Sequence, residues 1–430
     1  MSQQRWFGMS VVAATAVAVA VPAGALGARP GEPATTTSPA GAAFSASLAT
    51  SLPVVAQHIL AGNVAMTGTP AGRAAVEQAI SDAPELAVVS TMTARQLAGQ
   101  RVIYSYSGLT PPASLLSLIR AGDVGGILFF GPNYSSRSQF TSAVKKLEKA
   151  NAASTNPASA YPLLLMTDQE GGEVKRLPGQ PSQSEKAIGE ITPLSAAQSA
   201  ARKAGRGAAA TLSGYGLNVN LAPVLDVYRA AGDFDDQYQR SYSTNQNIVS
   251  ALGTAFISAQ QNHGVAATAK HFPGLGPAGA KENTDERPVT IKTSAATLWS
   301  KDEYPYRAAI ATGVDLVMVS WASYPSLGST RPAGLASLVV NGQLRQRLGY
   351  AGVTITDAIG AGALKHYGSI SNRALLAAKA GMQLILATSQ SEGSQATSGL
   401  LGGYRDGALP ATTFQSAVTL ILALRQQLPA

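Results

Sequence analysis

Eight short apolar runs rich in β-branched residues, each followed by a longer stretch of helical character, recur along most of the chain. This alternation restricts the fold more than any other feature. The runs fall at 101–106, 124–130, 163–167, 219–227, 265–271, 314–320, 353–357 and 384–388. Helices are expected over 111–121, 135–150, 195–214, 247–262, 295–312, 340–348 and 373–381, with 412–427 closing the ring. Runs that are apolar almost throughout suit parallel strands covered by helices on both faces. Eight consecutive strand-and-helix units predict an α/β fold, a TIM-type (β/α)8 barrel. A doubly wound open sheet is the alternative, and it gives no reason for eight units. Gly122, Gly264, Gly313, Gly352 and Gly381 stand just before runs, where a helix end often needs a left-handed residue.

Composition supports a large folded domain. Hydrophobic residues make up 45% of the 430 and charged residues 13%, which excludes a disordered chain. There is no cysteine, so disulfide scaffolds and thiolate metal or redox sites are excluded too. The net charge of +8 could mark a nucleic-acid partner. However, the densest basic runs, Lys145-Lys146-Leu147-Glu148-Lys149 and Arg202-Lys203-Ala204-Gly205-Arg206, lie in helical stretches and read as solvated faces. No nucleic acid is expected, and affinity for an anionic cell wall is a weaker implication of the charge.

The chain divides into four parts. Residues 1–28 read as a signal peptide: Arg5 precedes a charge-free stretch that ends in Ala23-Gly24-Ala25 and Ala25-Leu26-Gly27, small-x-small patterns suited to cleavage. An uncleaved anchor is the alternative. Residues 29–50 form a Pro/Thr/Ala-rich spacer, 51–90 a partly helical extension, and 91–430 the barrel domain. The expected location is secreted or cell-wall associated, with no membrane contact after cleavage and no N-terminal Cys for a lipid.

In a β/α barrel, chemistry sits where strands end. The third run ends in Asp168-Gln169-Glu170-Gly171-Gly172, the fourth contains Asp226, the fifth ends in Lys270-His271, the sixth in Ser320-Trp321 and the seventh in Thr356-Asp357. Ionisable residues thus gather at one rim. No G-x-S-x-G elbow, P-loop, H-E-x-x-H or G-x-G-x-x-G motif precedes a helix. Carboxylates with basic partners suit acid/base or glycosyl chemistry, and no metal or organic cofactor is called for.

These segments, with Asn220-Leu221-Ala222-Pro223-Val224-Leu225-Asp226, Lys270-His271-Phe272-Pro273-Gly274 and Gly352-Val353-Thr354-Ile355-Thr356-Asp357, resemble the ordered signature of family 3 glycoside hydrolases. The similarity is strongest to the single-barrel bacterial β-N-acetylhexosaminidase branch, because the chain ends soon after the eighth unit. The resemblance implies that Asp357 is the nucleophile of a retaining double displacement. Taken as a residue alone, Asp357 could instead cap a helix beginning near Ala358. Asp168, Arg176, Arg240, Lys270 and His271 match family positions that hold the terminal sugar, although rim salt bridges and barrel-top packing would place the same residue types there. Asp226 either adjoins the site or fixes a loop.

One departure bears on mechanism. The branch carries a histidine acid/base in the loop after Lys-His-Phe-Pro-Gly, whereas residues 275–287 contain none. Asp285, Glu286 or Glu282 is left to supply the proton, as a carboxylic acid of raised pKa can. Ala358 and Gln383 also stand where the family often has Asp. The implied activity is that of an exported exo-acting β-N-acetylhexosaminidase on cell-wall or chitin-type fragments. The alternatives are a weakened member that binds wall glycan without efficient hydrolysis, or a β-glucosidase.

Overall fold

The apolar runs pair side by side in the order in which they occur. In the computed structural model, which describes residues 84–429, the barrel strands are β1 (Val102–Tyr104), β2 (Gly126–Leu128), β3 (Leu164–Thr167), β4 (Val219–Asn220), β5 (Ala266–Phe272), β6 (Leu316–Val319), β7 (Val353–Ala358) and β8 (Leu384–Leu386). Each is parallel to the next, and β8 returns to β1 with Val102 opposite Ile385, so the sheet closes into the expected (β/α)8 barrel. Two short antiparallel hairpins, Gln169–Gly171 with Val174–Lys175 and Ser323–Tyr324 with Ser329–Pro332, extend from the same rim.

Side-chain alternation divides the core in two. Leu164 and Met166 of β3 point into the barrel with Ile103, Leu128, Leu316 and Ile355, while Leu165 joins the layer between strands and helices. The run at 219–227 pairs over only two residues. Pro223 has no N–H to give the ladder, and beyond it only Val224 bridges to Lys270.

The described helices are α1 (Pro84–Thr91), α2 (Ala94–Gly99), α3 (Ala113–Arg120), α4 (Arg137–Asn151), α5 (Leu194–Ser213), α6 (Gln246–Gln261), α7 (Tyr304–Ala311), α8 (Ile370–Ala380), α9 (Gln390–Arg405) and α10 (Ala411–Gln426), apart from shorter turns. The helix expected at 295–312 is broken: a π-type turn, Leu298–Asp302, separates its first residues from α7, which carries Pro305 in its first turn. A π-type segment, Leu338–Arg347, stands where 340–348 was expected.

The end of the chain differs from the sequence expectation. α9 follows β8 and completes the ring, and α10 covers the N-terminal mouth of the barrel, where Ile421 and Leu424 join the interior cluster. Arg425 is buried there and donates to the carbonyls of Tyr161 and Pro162, just before β3. Gly122, Gly264, Gly313 and Gly381 have positive φ as expected, but Gly352 does not. Before β7 the left-handed residue is Gly349, and a Cβ on Gly352 would instead meet the Tyr350 ring. α1 begins in the 51–90 extension and ends one residue beyond it, at Thr91; the signal, the spacer and residues 51–83 lie outside the described residues. Among the described residues no helix is long and apolar enough to cross a membrane.

Candidate active site

The C-terminal ends of the strands bring the rim residues into one buried ionic cluster. Asp168 follows β3, and its Oδ1 accepts from Lys270 Nζ of β5 at 2.7 Å. Two residues on, Glu170 accepts from the same ammonium at 2.8 Å and from Nη2 and Nε of Arg240 at 2.8 and 2.9 Å. Arg176, on the hairpin, lies with Nε 3.8 Å from Asp168 Oδ2. Against the opposing effect of burial, Arg240 and Lys270 hold Glu170 down at about 2, and Asp168 and Glu170 raise the Lys270 ammonium. Both partners therefore stay charged at neutral pH. Four of the five residues expected to hold a sugar, Asp168, Arg176, Arg240 and Lys270, share this ionic cluster, with Arg240 and Lys270 fixed by carboxylates before any ligand arrives, whereas His271 turns to Asp226 instead.

Asp357 stands near the end of β7 and is wholly buried. Its Oδ1 accepts from the Ala358 N–H, and its Oδ2 has no hydrogen-bond partner. Burial pushes this carboxyl up to about 7, opposed by the Ala358 N–H, Lys270 and Arg240. Desolvation outweighs these neighbours at this carboxyl. Asp357 caps no helix: a turn follows it, and the next long helix, α8, is capped by Ser369. Beneath it, Trp321 Nε1 donates to the Ala358 carbonyl at 2.9 Å and walls the strand end with a fully buried ring.

The loop after β5 folds over this strand end. The N–H groups of Gly362 and Ala363 donate to the carbonyls of Asp285 and Thr284 at 2.7 and 2.9 Å. Gly362 is required at this contact, since a Cβ there would lie 2.2 Å from the Glu286 carbonyl oxygen. The three loop carboxylates have different surroundings. Asp285 Oδ2 is enclosed without a partner, and burial together with the Asp357 charge raises its carboxyl well above the usual range. Glu286 is 57% exposed and lies 3.4 Å from Arg287. Glu282 turns back to accept from the Gly279 N–H at 2.7 Å. The structure brings Asp285 to Asp357, and it leaves Glu286 and Glu282 outside.

Behind the cluster, His271 Nδ1 and Asp226 Oδ2 are 2.5 Å apart, and Asp226 Oδ1 accepts from the Leu275 N–H. Burial and the Lys270 and Arg240 charges keep His271 neutral. Asp226 thus fixes both the histidine and the start of the loop. With Asp235 these two residues form a trio whose ligand atoms lie within 4.8 Å of one another, a metal-like grouping. The cation beside it is a guanidinium, Arg240 NH1 at 3.7 Å from Asp235, and both oxygens of Asp226 are already engaged. Asp226 and His271 are thus tied into a hydrogen-bonded brace, and Asp235 is paired with Arg240.

Glu170, Asp235 and Glu185 belong to this buried system but carried no assigned role in the sequence. Glu170 had a visible signal in its i, i+2 spacing from Asp168. Glu185, which accepts from the Val224 N–H at 3.0 Å, had none.

A closed barrel with a buried cluster of carboxylates, Lys and Arg at the C-terminal ends of its strands defines a hydrolytic (β/α)8 enzyme of the glycosidase kind. The sequence profile of the glycosyl hydrolase family 3 N terminal domain matches residues 89–424. The chain belongs to glycoside hydrolase family 3. It is 46% identical over 337 residues, 77% of this chain and 93% of the other, to an uncharacterized secreted glycosyl hydrolase of Arthroderma benhamiae. It is 30% identical over 276 residues, 63% of this chain and 77% of the other, to a beta-hexosaminidase of Xylella fastidiosa. A family 3 beta-N-acetylglucosaminidase structure from Paenibacillus sp. superposes with a TM-score of 0.73 at 32% identity, covering 78% of this chain and 63% of that one.

Proposed function

We propose that this glycoside hydrolase is an exported, exo-acting β-N-acetylhexosaminidase that releases terminal N-acetylglucosamine from cell-wall or chitin-type fragments with retention, through a glycosyl ester on Asp357. The observation that carries the reading is the Asp357 carboxylate, enclosed at a strand end with Oδ2 free of hydrogen bonds beside the Asp168–Lys270 pair. A nucleophile must be rigid and dry but not tied up by donors. Asp168 can accept from sugar hydroxyls, and Lys270 and Arg176 can donate to sugar oxygens. Enclosure of these groups favours one terminal ring over the middle of a chain. The preference for an N-acetylated sugar rests on the hexosaminidase and N-acetylglucosaminidase names of the relatives. Export rests on the first 28 residues and on the word secreted in the name of the Arthroderma protein.

The first step is attack of an Asp357 oxygen on C1 as the C1–O bond to the leaving group breaks. In the second, water attacks C1 and returns Asp357 as a carboxylate. Replacing Asp357 with Ala should lower turnover of an aryl N-acetyl-β-glucosaminide by roughly 10⁴-fold or more, the scale seen when a hydrolase loses its nucleophile. Unchanged turnover would remove Asp357 from the mechanism. Binding of chitin fragments by a wild-type protein that turns over no aryl β-glycoside would favour the glycan-binding alternative.

A further inference from the structure

Resting on the retaining reading of Asp357, we infer that Asp285 is the proton donor and acceptor of this enzyme, held over the strand end by the docking of its own backbone on Gly362 and Ala363. Three observations carry this. The carbonyls of Thr284 and Asp285 accept from Ala363 and Gly362, so the loop is anchored to the segment that leaves Asp357, only a few residues downstream. The contact is close enough that Gly362 tolerates no Cβ. The Oδ2 atoms of Asp285 and Asp357 are both enclosed, and neither has a hydrogen-bond partner. A buried carboxyl oxygen without a partner is costly to retain unless a ligand completes it, and here two such oxygens stand at one site.

The other groups nearby are committed elsewhere. Lys270 and Arg240 hold Asp168 and Glu170, His271 is braced on Asp226, and Glu286 and Glu282 face away. The mutual repulsion of two close carboxylates puts the proton on one of them. Burial and the Asp357 charge raise Asp285 well above its ordinary range. Asp357 accepts the Ala358 N–H and lies in the field of Lys270, which favours its carboxylate, so the shared proton is assigned to Asp285, as nucleophile and acid require.

The step balances without a co-reactant. An Asp357 oxygen bonds to C1, the C1–O bond to the leaving group breaks, and that oxygen takes the Asp285 proton. Asp285, now a carboxylate, then removes a proton from water as the water oxygen bonds to C1 and the Asp357–C1 bond breaks. Both carboxyls return to their starting forms.

The test compares Asp285→Asn and Asp285→Ala with wild type on 2,4-dinitrophenyl and phenyl N-acetyl-β-glucosaminides, with and without azide. Circular dichroism checks that each variant is folded. The expected result is a loss of about 10²–10⁴ in kcat/KM on the phenyl substrate and less than about tenfold on the dinitrophenyl one. The alkaline limb of the pH profile should disappear, and in Asp285→Ala azide should accelerate turnover with formation of the β-glycosyl azide. The same comparison on Glu286→Gln should keep the wild-type ratio between the two substrates. Equal losses on both substrates in folded variants, with no azide product, would overturn the assignment and make Asp285 a positioning residue. That failure differs from failure of the retaining reading, which would be seen as undiminished activity of Asp357→Ala on the dinitrophenyl substrate.

Discussion

Asp357 and Asp285 are similar residues whose surroundings give them different ionisation. Burial raises both carboxyls and the Arg240 charge opposes it at both, but Asp357 also receives the Ala358 N–H and the Lys270 charge, whereas Asp285 is raised further by the Asp357 charge. The cost of this arrangement is a stability term with a definite sign. The native Asp357 carboxyl holds its proton up to about 7, whereas in the unfolded chain it releases it near 3.9. The native state therefore binds more protons across that window, and stability falls as pH rises through it. Asp357→Asn should melt at a higher temperature than wild type at pH 8, by about 2 °C or more, with the difference shrinking toward pH 4. Calorimetry at the two pH values checks this, and an equal shift at both would contradict it. At this scale the sequence was partly legible. That Asp168, Lys270 and Asp357 gather at one rim could be read because each stands at the end of an apolar run. That Asp285 is enclosed while Glu286 is exposed could not be read from sequence, because it depends on loop 275–287 docking on residues about eighty positions later.

At the scale of elements, the eight strands were legible because burial on both faces leaves a continuous apolar run. α9 was not. Its sequence, Gln390–Arg405, contains four glycines and several serines, which weaken any helical pattern. The structure gives the reason for them. A Cβ on Gly393 would lie 2.3 Å from the Tyr104 ring, one on Gly399 2.1 Å from the Ser371 carbonyl oxygen and one on Gly403 2.4 Å from Leu375. Glycine here lets α9 lie close to β1 and α8, at the expense of helix propensity. Gly402 has no such neighbour. Urea unfolding should therefore find Gly393→Ala destabilised by about 1–3 kcal/mol through overpacking and Gly402→Ala stabilised by up to about 1 kcal/mol through propensity alone. Equal effects at the two sites would refute close packing as the reason for these glycines.

For the whole molecule, α10 separates stability from chemistry. It closes the N-terminal mouth of the barrel with Ile421, Leu424 and Arg425, which leaves the opposite rim, where the loops gather, for the ionic cluster. The apolar pattern at 412–427 revealed a helix, but placing it under the barrel rather than in the ring required knowing that Arg425 reaches the carbonyls before β3. The central claim is that this fold presents Asp357 to C1 of a terminal sugar and hydrolyses it by two displacements. Proton NMR of the first product formed from an aryl N-acetyl-β-glucosaminide, recorded before mutarotation, tests this most directly. Retention requires that the β-anomer appear first and the α-anomer grow in later. The α-anomer appearing first would mean a single displacement by water, and Asp357 could not be the nucleophile.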